Sequence, residues 1–102
     1  MMDKEQQENC PIERALEILG RRGTFVILRD LMDGPKRFSE LQASTHLPPR
    51  TLSMRLKELE GADLLTRTQY PEVPPRVEYE LTERGRALKP VLDALAAWGE
   101  SL

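Results

Sequence analysis

The stretch KRFSELQASTHLPPRTLSMRLKELEGA, residues 36–62, holds two helical patterns separated by a proline pair, and its reading decides the fold. In its second half Leu52, Leu56 and Leu59 recur at i, i+4 and i+7. That is one apolar stripe on a helix predicted from about Pro49 to Ala62. At about 100° per residue, Arg50, Met54 and Lys57 fall on the opposite side, with Ser53 at the flank. In the first half, Ser39 opens a shorter helix that ends by His46–Leu47. Ser39–Glu40–Leu41–Gln42 fits the capping-box pattern, in which serine bonds forward and glutamine bonds back. Lys36–Arg37–Phe38 reads as a short extended piece ahead of it.

Upstream, a helix is predicted from Thr24 to Met32, apolar at Phe25, Val26, Ile27, Leu28 and Leu31 and stopped by Gly34–Pro35. Before it, Pro11 opens a first helix, since proline's fixed φ and missing N–H suit the first helical position. Ile12, Ala15, Leu16 and Leu19 give that helix one stripe, and Gly20 is expected to end it in a left-handed cap. Residues 1–9 read as a flexible arm, and residues 10–102 as one domain.

Downstream, Asp63 is placed in a left-handed conformation after the long helix. Two extended segments follow, Leu65–Tyr70 and Arg76–Leu81, joined by the stiff tip Pro71–Pro75. In the second, Val77, Tyr79 and Leu81 alternate with Glu78 and Glu80, the period of a half-buried strand. Thr82 N-caps a last helical region running to Ser101, with a kink or break near Lys89 because Pro90 lies inside it. The fold class is therefore α+β, mainly α: a winged helix-turn-helix with a β-hairpin wing and terminal helices available for a dimer interface.

Composition sets the outer limits. A chain of 102 residues is too short for two independent cores. With 39% apolar and 31% charged residues it has a globular balance rather than a disordered one. No apolar run approaches the ~20 residues of a membrane span. Met1–Glu8 contains no apolar signal core, so a cytoplasmic location is expected, with no membrane partner. One cysteine excludes an internal disulfide, and His46 lies far from Cys10, so neither a metal cluster nor a cofactor is expected. No Ser/His/Asp set or glycine-rich phosphate loop is present, so an enzyme is not expected. The net charge of −2 weighs against nucleic-acid binding on average. The distribution argues the other way: Lys36, Arg37, Arg50, Arg55 and Lys57 stand against Glu40 alone between residues 36 and 57.

Several segments together resemble the HxlR family of bacterial regulators, relatives of the MarR regulators: Cys10–Pro11, GPKRFSEL from Gly34, LSMRLKELE from Leu52, PPRVEYELT from Pro74 and GRALKPVLDALAAWG from Gly85. The order and spacing of these pieces carry the resemblance, and PPRVEYELT with its downstream Trp98–Gly99 is the most specific part. The chain departs from the pattern at Gly23, where the family usually has tryptophan, at Asp63, where it usually has glycine, and at Pro48–Pro49. The resemblance implies dimeric DNA-binding regulators that often answer to oxidants or reactive electrophiles.

The helix from Pro49 is the candidate for the major groove, which admits an α-helix. Arg50, Thr51, Ser53, Met54 and Lys57 are its candidate contacts to double-stranded DNA. Arginine can bond guanine bidentately, serine can reach a base or a phosphate, and methionine can meet a thymine methyl. By pattern alone, the same residues also read as the solvated face of an amphipathic helix. Arg67 and Arg76 on the wing strands can enter the minor groove or hold phosphates, or Arg76 can simply pair with Glu72 or Glu78. Arg37 can reach a phosphate, and Ser39 can present the N-terminal N–H groups of its helix to one or serve only as a cap.

Cys10 is expected at the N-cap of the first helix, where the helix dipole and nearby Arg14 favour the thiolate that oxidants and alkylating agents attack. It reads as a redox-sensing residue or as a small half-buried residue with no chemical task. Leu88, Val91, Leu92, Leu95 and Trp98 form a stripe too apolar for water, read as a homodimer seam. The expected partners are thus a second copy of the chain, a palindromic operator, and an oxidant or small-molecule inducer. A winged-helix module that binds protein rather than DNA is the alternative.

Overall fold

A computed structural model describes residues 10–102, so the expected N-terminal arm lies outside the described residues. Six helices and one hairpin follow in chain order: α1 (Pro11–Leu19), α2 (Thr24–Leu31), α3 (Phe38–Thr45), α4 (Pro49–Gly61), β1 (Leu65–Tyr70), β2 (Arg76–Leu81), α5 (Glu83–Arg86) and α6 (Lys89–Glu100). Both strands have the expected bounds. They pair antiparallel, with Leu65 opposite Leu81, Arg67 opposite Tyr79 and Tyr70 opposite Arg76. The Lys36 and Tyr79 backbones exchange N–H···O bonds of 2.9 and 2.8 Å, so the extended piece before α3 adds a single bridge to the free edge of β2. Phe38, expected in that piece, is instead the first residue of α3.

The core is almost entirely leucine. Leu52, Leu56 and Leu59 of α4 are buried against Ile27, Leu28 and Leu31 of α2 and Leu41 of α3, with Leu64, Leu65 and Leu81 closing the base of the wing. Each such side chain, fully buried, contributes roughly 1.5–3 kcal/mol. Tyr79, Leu88 and Leu92 pack on this core from outside, which ties the hairpin and the start of the C-terminal helical region to it.

Two local expectations are corrected. The capping box does not form on Ser39 and Gln42: Arg37 is the N-cap of α3, and its N–H donates to Glu40 Oε1 at 2.9 Å. Glu40 supplies the carboxylate at N3, where it also meets the positive end of the helix dipole, and Ser39 falls inside the first turn. Gly20 is not left-handed either; its φ is −79°, and its N–H closes the last turn of α1 on the Leu16 carbonyl at 2.8 Å. The left-handed glycine of that connection is Gly23, with φ 86°.

Asp63 takes the expected left-handed conformation, with φ 62°. The chain then turns back so that the Leu64 N–H bonds the Leu59 carbonyl at 2.9 Å. Thr82 fastens the far side of this turn. Its hydroxyl donates to the Asp63 carbonyl at 2.7 Å and accepts from the Gly85 N–H at 3.1 Å, capping α5 as expected. The helical region is interrupted at Ala87–Leu88, and Pro90 stands in the first turn of a new helix, α6, where its missing N–H costs nothing.

Gly85 approaches the Leu64 backbone so closely that an added Cβ would collide with its carbonyl oxygen, whereas Gly61 faces open space. Gly85→Ala should therefore lower stability by about 1–3 kcal/mol. Gly61→Ala should be neutral or stabilising by up to ~1 kcal/mol. Urea unfolding of the two variants, with unchanged m-values, checks both.

Candidate nucleic-acid interface

The helix-turn-helix is made by α3 and α4. Between them His46 turns left-handed (φ 58°) and Leu47 is buried, which anchors the turn to the core. Pro48 and Pro49 form the N-cap and first residue of α4, and the Leu52 N–H bonds the Pro48 carbonyl at 2.9 Å. Because Leu52, Leu56 and Leu59 point inward, Arg50, Met54 and Lys57 are left exposed on the opposite side, with Thr51 and Ser53 half-buried beside them. Among the described residues neither Arg50 nor Lys57 enters an ion pair, so both cations are available to an outside partner. Arg37 and Ser39 are exposed at the N-terminus of α3.

The two wing arginines differ. Arg67 is exposed on β1 and pairs with no acid among the described residues. Arg76 is held on three sides: Nε donates to Glu72 Oε2 at 3.0 Å, Nη1 to Glu78 Oε2 at 3.0 Å, and the guanidinium lies 4.1 Å from the centre of the Tyr70 ring. Desolvation alone would lower its pKa, but the attraction of Glu72 and Glu78 outweighs this and raises it, so the cation is permanent. Arg76 can reach a phosphate only by exchanging these acids for it, whereas Arg67 is free. The structure thus gives Arg76 the ion-paired arrangement that was its alternative reading.

One cation counted in the basic segment is not free. Arg55 turns back from α4, with its Nε donating to the Arg22 carbonyl at 2.9 Å and its Nη1 to Glu58 Oε1 at 3.0 Å. Its helical position held the signal: Arg55 lies three residues after Leu52 and next to Leu56, at the margin of the buried stripe. The Tyr70 stack on Arg76 also went unread, because it depends on cross-strand register.

A second surface lies away from the reading helix. Val91, Leu95 and Trp98 of α6 are exposed, Trp98 by 65%, while Leu88 and Leu92 turn partly inward. Ile12 and Leu16 of α1 are exposed as well. A groove of about 280 Å³ between α2 and α6 is lined by Phe25, Val26, Arg29, Leu92, Leu95 and Ala96. Cys10 stands at the N-cap of α1 as expected, half-buried and without a side-chain capping bond. No group of three or more potential metal-ligating side chains occurs among the described residues, and none of their helices is long and apolar enough to cross a membrane.

A helix-turn-helix whose second helix keeps an exposed cationic face, followed by a two-stranded wing, is the architecture of helix-turn-helix transcription regulators. The chain belongs to the HxlR-like helix-turn-helix family, whose model matches residues 18–102. It is 43% identical over 94 residues to the uncharacterized HTH-type transcriptional regulator YdeP of Bacillus subtilis, covering 91% of this chain and 73% of that one. The redox regulator HypR in its oxidized form superposes with a TM-score of 0.86 at 38% identity, over 91% of this chain and 97% of that one. The reduced form of the transcriptional regulator YodB from B. subtilis gives 0.79 at 40% identity, over 91% and 93%.

Proposed function

We propose that this regulator binds double-stranded DNA as a symmetric homodimer, laying α4 of each subunit in successive major grooves of a palindromic operator. It acts in the cytoplasm as a binding protein rather than an enzyme. The observation that carries the reading is the exposed, unpaired Arg50–Met54–Lys57 face set opposite three buried leucines. Arg67 and Arg37 supply backbone contacts on either side of it. Selection from a random DNA pool followed by footprinting tests the proposal. Half-sites about one helical turn apart, ~10 bp or a multiple, are expected. Recovery of no preferred sequence at low salt, or binding that does not weaken as salt rises, would sink it and leave a protein partner as the better reading.

Base reading and phosphate holding separate by mutation. Arg50→Ala should cost roughly 1–3 kcal/mol of binding and relax preference at one base pair per half-site. Arg76→Ala should instead weaken all sequences alike, and by less than an unpaired arginine would, because its pairs with Glu72 and Glu78 must break first. Competition binding on operator variants across a salt series reads both.

The exposed faces of α1 and α6 are the proposed dimer seam. Leu95→Asp places a charge there twice per dimer and should yield monomers in analytical ultracentrifugation. A variant still dimeric at micromolar concentration would put the seam elsewhere.

Cys10 is the proposed target of an oxidant or electrophile inducer, supported by its half-exposed N-cap position and by the redox description of HypR. With one cysteine per chain, oxidation leads to an intersubunit disulfide, a mixed disulfide with a small thiol, or a sulfenic acid. Mild diamide treatment should lower DNA affinity of the wild type and leave Cys10→Ser unchanged. Equal affinity in all four samples would make Cys10 a packing residue.

A further inference from the structure

The four-residue connection Gly20–Gly23 between α1 and α2 is held against the helix-turn-helix at two points. At the first, Gly23 (φ 86°) sits under Leu47 of the α3–α4 turn, so closely that a Cβ there would lie 2.6 Å from Leu47 Cδ1. At the second, the Arg22 carbonyl accepts the 2.9 Å bond from Arg55 Nε in the second turn of α4. The Arg55 side chain is only 12% exposed, and its Nη1 is held by Glu58 at 3.0 Å. A planar guanidinium holding a carbonyl and a carboxylate at once has little rotational freedom.

We propose that Arg55 is a positioning residue that couples the placement of α1 to that of the reading helix α4, and so sets the separation of the two reading faces in the dimer. The inference rests on the DNA-binding dimer proposed above. Nε and Nη1 of Arg55 are turned inward to Arg22 and Glu58 rather than outward with Arg50 and Lys57. The lever is long enough to matter. α1 has nine residues, each rising about 1.5 Å, so a rotation of about 10° at the connection moves its Cys10 end by roughly 2 Å. Without the Arg55 bond, the connection would be held to the helix-turn-helix by the Leu47 contact, and α1 could pivot about its buried last residue, Leu19.

The test uses two readouts. In the first, nitroxide labels at Glu17→Cys on α1 and Glu60→Cys on α4, in a Cys10→Ser background diluted with unlabelled chain, report the intrachain distance without DNA. Arg55→Met should broaden or shift that distribution, whereas Glu58→Ala, which spares the carbonyl bond, should not. In the second, affinities are measured for the selected operator and for versions with one base pair added or removed between half-sites. Arg55→Met should keep the wild-type base preference on an isolated half-site while discriminating among spacings about tenfold less, the size of one charge-assisted hydrogen bond. Arg55→Lys, which keeps the charge and stem but not the fork, replaces it if the methionine variant does not fold. An unchanged distance distribution overturns the inference whatever the DNA results. So does an equal loss of affinity at every spacing, which marks a residue that only supports the fold, or a flatter salt slope, which marks a phosphate contact. Failure of the wild type to select any operator would defeat the DNA-binding reading alone, with the distance measurement still deciding the coupling.

Discussion

The rotation of α4 about its own axis is the constraint on which the rest depends. A helix turns 100° per residue, so a register change of one residue would bring Ser53, Lys57 and Glu60, or Thr51, Arg55 and Glu58, to the core side and swing the leucines out of it. Three leucines in one stripe, all buried against α2 and α3, exclude that change. Leu→Ala at such positions typically costs 2–5 kcal/mol, a large share of the stability of a small domain. The same energy that folds the core therefore aims the reading face.

The wing is aimed by a different device. Between α4 and β1 the backbone reverses at Asp63 and is fastened by Thr82, whose hydroxyl links the turn to the first turn of α5. Gly85 lets α5 come down on the Leu64 carbonyl. Hairpin, turn and α5 thus move together, and the Tyr79–Lys36 bridge joins them to the approach to α3. Arg67 is carried by this assembly through its place opposite Tyr79 in the ladder, and its side chain enters no ion pair among the described residues.

Sequence periodicity exposed the features that depend on many residues at once. Both strands, the helices α1, α2 and α4 and the buried stripe of α4 follow from patterns in which several side chains agree, while of the apolar stripe read on α1 only Leu19 is buried. Single-residue competitions were less legible. Arg37 and Ser39 both precede a carboxylate or amide at the right spacing, and the choice between Glu40 and Gln42 turned on where Phe38 packs, a tertiary matter. The left-handed position in the first connection went to Gly23 rather than Gly20 because Leu47, far along the chain, presses against it. Arg55 is the sharpest case. Counted as one more cation in a basic segment, it is spent on a carbonyl 33 residues away, a contact that no local pattern encodes.

These single-residue contacts lie between two exposed surfaces of different chemistry. The exposed apolar side chains of α1 (Ile12, Leu16) and α6 (Val91, Leu95, Trp98) are costly to leave in water. The exposed face of α4 carries the unpaired cations. Between the two stands the α1–α2 connection, touched by Leu47 from the turn and by Arg55 from the helix. The net charge of −2 does not oppose this arrangement, because between residues 36 and 57 Lys36, Arg37, Arg50, Arg55 and Lys57 stand against Glu40 alone. The apolar faces of α1 and α6 and the cationic face of α4 are thus different in chemistry, and the four-residue connection Gly20–Gly23 lies between α1 and the helices that carry the second.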